Sequence, residues 1–170
     1  MDLKKYIRDI PDFPKKGILF RDITTLIGDK DALREVVDIF VKKYKDEKID
    51  IVVAAEARGF IIGGAIACGL NAGFVPVRKK GKLPHKTIGA EYDLEYGTDS
   101  LHMHEDAIVE GRRVLVIDDL LATGGTAKAT CELVERTKGE VVEVGFIIEL
   151  AGLKGREKLK DYKIFSQIVY

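Results

Sequence analysis

Apolar positions along the chain fall into two kinds of run. Short continuous ones recur at 51–55, 74–78, 114–117, 141–150 and 163–169. Rich in Val and Ile and bounded by Gly, Asn or charged residues, they predict strands buried on both faces of a sheet. Between them the apolar residues are spaced by three and four. Leu33, Val36, Val37, Phe40, Val41 and Tyr44, with lysines and acids between, predict an amphipathic helix over 31–48, capped by Asp29 or Asp31. A second helix follows the first strand to about Leu70, and its Gly63, Gly64, Ala65 and Ala67 allow close packing on a sheet. A third covers 127–138. Leu3, Tyr6, Ile7 and Ile10 predict a short N-terminal helix ending before Pro11, after which Pro11 and Pro14 impose an extended path. The stretch from Thr87 to Tyr96 alternates as a hairpin does. Strands alternating with helices imply an α/β fold: a parallel sheet covered on both faces, with right-handed crossovers.

Composition narrows the class. The 170 residues suit one domain, 1–170, with a real core. Basic and acidic residues balance at 28 each, so no global field favours nucleic acid or an anionic membrane. No apolar run approaches membrane-spanning length, and the N-terminus lacks the apolar stretch of a signal peptide. Cys68 and Cys131 lie in apolar-periodic segments without metal-ligand spacing, which reads as two buried thiols in a reducing cytoplasm.

Candidate chemistry concentrates after the 114–117 run. It ends on two carboxylates, Asp118 and Asp119, followed by a small-residue turn of Ala122, Thr123, Gly124, Gly125 and Thr126 and then a helix. Free backbone N–H groups and the positive helix end suit a phosphate, with Thr123 and Thr126 adding hydroxyls and the acids facing sugar hydroxyls. The spacing is neither that of a P-loop nor that of a dinucleotide fingerprint. An ordinary turn with two solvated acids is the plain alternative. Arg58, at the end of the first buried strand beside Gly59, has the guanidinium fork that matches paired phosphate oxygens.

The wording Asp-Asp-Leu-Leu-Ala-Thr-Gly-Gly-Thr resembles the phosphoribosyl-pyrophosphate (PRPP) motif of type I phosphoribosyltransferases, in their adenine-specific branch. The resemblance covers nearly the whole chain. It implies that sheet with a small hood and a mobile flap hairpin, in a cytoplasmic homodimer. It implies a purine-salvage reaction in which adenine and PRPP give AMP and pyrophosphate. Mg²⁺ is the implied cofactor, held mainly by PRPP oxygens and water rather than by protein ligands. Phe20 would stack on the base while the backbone of Leu19, Phe20 and Arg21 reads its edge, and Leu150 would face Phe20. Arg58, Arg78, Lys79 and Lys82 become pyrophosphate neighbours, and a non-proline cis peptide falls at Glu56–Ala57. Glu95 and Tyr96 would sit on the flap, and 151–159 would form a helix. Two departures stand out. His102 replaces the glutamate usual at its position, and Ala122 stands where 6-oxopurine relatives carry an acid. Glu95 then becomes the group that shares a proton with the base. Another nucleobase (xanthine or hypoxanthine), or a non-catalytic PRPP- or purine-sensing regulator on the same fold, are the alternatives. Such a regulator would add a DNA-binding domain, for which the length and neutral charge leave no room.

Overall fold

The structure, a computed structural model, describes residues 1–94 and 97–170. A 3₁₀ turn at Leu3–Tyr6 leads into β1 (Arg8–Pro11), which pairs antiparallel with β2 (Leu19–Asp22). The expected N-terminal helix is therefore confined to its first turn. Residues 8–11 instead find a strand partner, and Arg8 locks that pairing through Asp22 at 2.7 Å. After α1 (Thr24–Gly28) comes α2 (Lys30–Tyr44). Asp29, not Asp31, caps it by accepting from the Asp31 and Ala32 amides. The helix stops at Tyr44 rather than Lys48, which lies at φ +51°.

The main sheet follows as β3 (Ile51–Ala55), α3 (Arg58–Leu70), β4 (Gly73–Lys79), β5 (Thr87–Leu94), β6 (Gly97–His104), β7 (Arg113–Leu121), α4 (Gly125–Arg136), β8 (Glu140–Glu149), α5 (Gly155–Lys158) and β9 (Ile164–Val169). Its order is β5-β6-β4-β3-β7-β8-β9. β4, β3, β7, β8 and β9 run parallel, as the alternation of strands and helices requires. The β5–β6 hairpin joins antiparallel at the β4 edge, through Arg78 opposite His102 and Lys79 opposite Leu101.

Successive residues of the central strands feed two cores. Val53, Val114 and Val116 pack on the face covered by α4, with Ala127, Cys131 and Leu133. Val52, Leu115 and Ile117 pack on the other face, with Ile62 and Ile66 of α3 and Val36 and Phe40 of α2. Helix α3 sits close because Gly63 has no side chain: a Cβ there would lie 2.9 Å from the Cβ of Ala54. Two expectations need correction here. Cys131 is buried but Cys68 is exposed on the outer side of α3. The expected helix over 151–159 is two short pieces, Ala151–Leu153 and α5, because Lys154 turns left-handed at φ +54° between them. No helix among the described residues is long and apolar enough to cross a membrane.

Candidate active site

Strand β7 outruns its neighbour. Its pairing with β3 ends at Ala54 opposite Ile117, whereas β8 stays alongside to Leu121 opposite Glu149. Asp118 and Asp119 therefore lie inside the strand, not at its end as the apolar run suggested, on a stretch bordered by one strand only. The freed edge opens a cleft of about 440 Å³ lined by Glu56, Ala57, Arg58, Asp118, Asp119, Leu120, Ala122 and Thr126. This is the carboxyl end of the parallel strands, where ligands of such sheets bind.

Asp119 is buried and accepts from Arg58 Nε at 2.5 Å. Asp118 accepts from the Asp119 amide at 2.9 Å. Burial, then the adjacent Asp119 charge, pushes the Asp118 carboxyl well above the usual carboxylate range. Gly59 admits this carboxyl, since a Cβ at that position would sit 3.2 Å from Asp118 Oδ1. The Arg58 guanidinium also lies 5.7 Å from the centre of the Phe20 ring, which is packed edge-on by Phe13 at 5.1 Å. Phe20 thus comes to the cleft through Arg58. Leu19 beside it is exposed, and Arg21 pairs with Asp9 and lies 4.0 Å over the Tyr170 ring. β2 pairs with β1 alone among the described residues, so its other edge has no strand partner.

Glu56, in the turn after β3, organises the end of β4, a role the sequence reading passed over. Its carboxylate accepts from Arg78 Nη2 at 3.1 Å and from the Lys79 amide at 2.6 Å. Burial raises this carboxyl, but the Lys79 amide and Arg78 more than offset it and hold it below its ordinary value. The peptide between Glu56 and Ala57 is cis. Arg78 Nη1 also donates to the Lys82 carbonyl at 3.2 Å, and Arg78 Nε is a buried donor with no partner among the described residues. Lys79 reaches Asp99 on β6 at 2.9 Å, which raises its pKa. Lys82 is exposed.

The loop 122–126 closes a smaller cavity of about 60 Å³, lined also by Asp118, Leu120, Leu121, Ala127 and Phe146. Gly124 takes φ +82° at the N-terminus of α4, and a Cβ there would meet the Gly155 carbonyl oxygen at 2.5 Å. Only glycine satisfies both demands. The first turn of α4 leaves amides without intrahelical partners, and its residues Gly125, Thr126 and Ala127 line this cavity. The two cavities share Asp118, Leu120, Ala122 and Thr126, so a phosphate in one and a sugar in the other would be contiguous.

Leu150 is half-buried just past β8, its amide bonded to the Leu121 carbonyl, and lines neither cavity. Glu95 and Tyr96 lie outside the described residues. His102 sits over Gly89 between the hydroxyls of Thr87, at 3.3 Å, and Ser100, at 3.1 Å. Among the described residues no group of three His, Cys, Asp or Glu side chains converges to hold a metal ion.

The sequence description of the phosphoribosyl transferase domain matches residues 25–169. The chain is 58% identical over 170 residues, all of both chains, to the adenine phosphoribosyltransferase of Brachyspira hyodysenteriae. It is 56% identical, again over all of both chains, to that of Thermotoga petrophila. Its backbone matches the crystal structure of adenine phosphoribosyltransferase from Thermoanaerobacter pseudethanolicus with a TM-score of 0.96, at 51% identity over 99% of this chain and 98% of that one. The Saccharomyces cerevisiae enzyme, complexed with an imino-altritol bisphosphate and adenine, matches with a TM-score of 0.93 at 39% identity, over 98% of this chain and 96% of that one.

Proposed function

The chain belongs to the phosphoribosyltransferase family, and on that premise we propose how its cleft carries out the family's reaction. The chain transfers the 5-phosphoribosyl group of PRPP to adenine, giving AMP and pyrophosphate, a purine-salvage reaction. The observation that carries the assignment of roles is the junction of the two cavities at Asp118, Ala122 and Thr126.

The 122–126 loop holds the 5′-phosphate of PRPP and of AMP through backbone amides and the Thr123 and Thr126 hydroxyls. Asp118 and Asp119 hold the ribose hydroxyls and favour positive charge developing on the sugar. Arg58, Arg78, Lys79 and Lys82 receive the pyrophosphate; the unpartnered Arg78 Nε is a donor such an anion satisfies. Phe20 stacks on adenine with Leu150 opposite, and the unpaired edge of β2 at Leu19, Phe20 and Arg21 reads the base. In the reaction the N9–C1′ bond forms as the bond from C1′ to pyrophosphate breaks. Ala122 offers no proton-bearing group, so Glu95 shares the base's proton as N9 attacks, and Tyr96 closes over the site.

Mg²⁺ fits the hard oxygen donors of Asp118 and Asp119 bordering an open cleft. Held mainly by PRPP oxygens and water, it would neutralise charge on the leaving pyrophosphate, and Asp118 and Asp119 would help hold it by way of the ribose hydroxyls they bind. We assign residues 1–170 to one domain working in the cytoplasm as a homodimer. The outer stripe of α3, with Ile61 49% exposed beside Ala65 and Cys68, is the apolar surface a second copy would cover.

An absorbance assay with PRPP, Mg²⁺ and each nucleobase tests the reading. Adenine should turn over, with kcat/KM for hypoxanthine lower by at least about 100-fold, because a 6-oxo base leaves donor facing donor. Comparable efficiency with hypoxanthine would overturn the base assignment.

A further inference from the structure

Glu149 ends β8 as a buried carboxylate, opposite Leu121 of β7. Arg156 meets it in a two-pronged pair, Nε to Oε1 at 2.7 Å and Nη2 to Oε2 at 2.7 Å, with Ser166 Oγ a further 3.4 Å contact. Arg156 holds this carboxyl below its ordinary value despite its burial. The residue before Arg156 is Gly155, buried with its backbone against the 122–126 loop. A Cβ on Gly155 would strike the Ala122 carbonyl oxygen and lie 2.7 Å from Leu121 Cδ1, and a Cβ on Gly124 would strike the Gly155 carbonyl. Two glycines therefore meet backbone to backbone, and the outer wall of the loop is the peptide next to Arg156.

The two ends of that wall are held by the Ala151 amide, which donates to the Tyr170 carbonyl, and by Leu159, which is fully buried in the core. The segment from Ala151 to Lys158 is two short helical pieces around a left-handed Lys154, mostly exposed. Helices this short do not hold their own shape. Between those ends the Glu149–Arg156 fork ties the segment to the sheet, and a planar guanidinium bound at two points fixes orientation as well as distance.

We infer that Glu149 and Arg156 are positioning residues for the phosphate loop: their paired hydrogen bonds seat Gly155 against Gly124 and so set the shape in which the loop receives a 5′-phosphate. This rests on the reading of 122–126 as the phosphate loop. Neither residue lines either cavity. Their effect falls most on binding of the phosphate end; of the base-site residues only Leu150, next to Glu149 in the chain, adjoins the fork.

The test compares Glu149→Gln, Arg156→Lys and the apolar pair Glu149→Leu/Arg156→Leu, each checked for folding by circular dichroism. The double variant removes the fork without leaving a lone buried charge, so it guards against simple unfolding. Glu149→Gln and the double variant should raise the KM for PRPP and the calorimetric Kd for AMP by on the order of tenfold. Their kcat should stay within about twofold, and the adenine KM should rise by clearly less than the KM for PRPP. Arg156→Lys, which keeps the charge and loses the fork, should fall between. Gly124→Val, measured alongside, tests the loop itself. If Gly124→Val abolishes AMP binding while folded Glu149→Gln binds AMP as wild type does, the positioning role is refuted and the loop reading stands. If neither variant changes AMP affinity, both are refuted. A fall in melting temperature with KM and kcat moving together refutes positioning in favour of a general structural role.

Discussion

Arg58 donates its Nε–H to Asp119 at 2.5 Å while its guanidinium lies 5.7 Å from the centre of the Phe20 ring. One cation thus joins a carboxylate of the proposed sugar site to the aromatic ring of the proposed base site. On those roles, incoming pyrophosphate oxygens would compete with Asp119 for that cation, and loading PRPP would rearrange the wall of the base pocket. Arg58→Gln should raise the KM for PRPP about 10- to 100-fold, the range of a lost hydrogen bond between charged groups. The KM for adenine should rise too, by less. Initial rates over a grid of both substrates measure this; an unchanged adenine KM would uncouple the two sites.

Asp118 should prove a residue held against stability. Its folded pKa lies well above the unfolded value, so the ionised form is disfavoured by folding. Stability falls as pH rises from the unfolded value near 3.9 toward the raised folded one, and the penalty is fully present above it. Asparagine keeps the oxygen that accepts from the Asp119 amide and removes the charge. Asp118→Asn should therefore melt higher at neutral pH, by about 2–4 °C per kcal/mol recovered, while turnover drops by orders of magnitude. Differential scanning calorimetry decides it, a lower melting temperature counting against the claim.

Asp22 has the opposite sign. Arg8 first, then the Thr24 amide and hydroxyl, lower its pKa to about 2. Its contribution is complete above the unfolded value near 3.9 and is lost as pH falls toward the folded one. In urea titrations, wild type should exceed Asp22→Asn in midpoint at neutral pH, and the gap should close as pH is lowered from about 4 to about 2. A gap that persists unchanged in acid would mean that charge is not what Asp22 supplies.

Much of this was legible in the residues, and what was not has identifiable physics. Val114 to Ile117 announced a buried strand because four apolar residues in succession need two covered faces. The strand's continuation through Asp118 and Asp119 was hidden, since it depends on β8 reaching to Glu149, a long-range pairing. Leu3 to Ile10 has helical spacing, yet β2 offers residues 8–11 hydrogen bonds that spacing cannot reveal. Glu56 and Glu149 were missed for one reason: each is an acid closing an apolar run, which reads as the run's solvated end. The signal lay in the arginines, Arg78 and Arg156, that each acid finds in space.

Glu95→Gln should keep the affinity for PRPP and slow the chemical step, because with Ala122 in the place of an acid the 122–126 loop has no carboxyl to offer. General acid–base help of this kind is worth about 10²–10⁴ in rate. Rapid-quench single turnovers isolate that step from product release. A wild-type rate for the glutamine enzyme would clear Glu95 of the role.

The β5–β6 hairpin meets the rest of the sheet along a seam just two residues wide, and the β4 residues of that seam are Arg78 and Lys79. A door is hung here on the side chains proposed to grip the leaving group. Lys79 is also latched to the hairpin's own Asp99. On the proposed roles, a swing of the hairpin about this seam would turn those cations with it, and unlatching the door and letting go of pyrophosphate would become a single mechanical event.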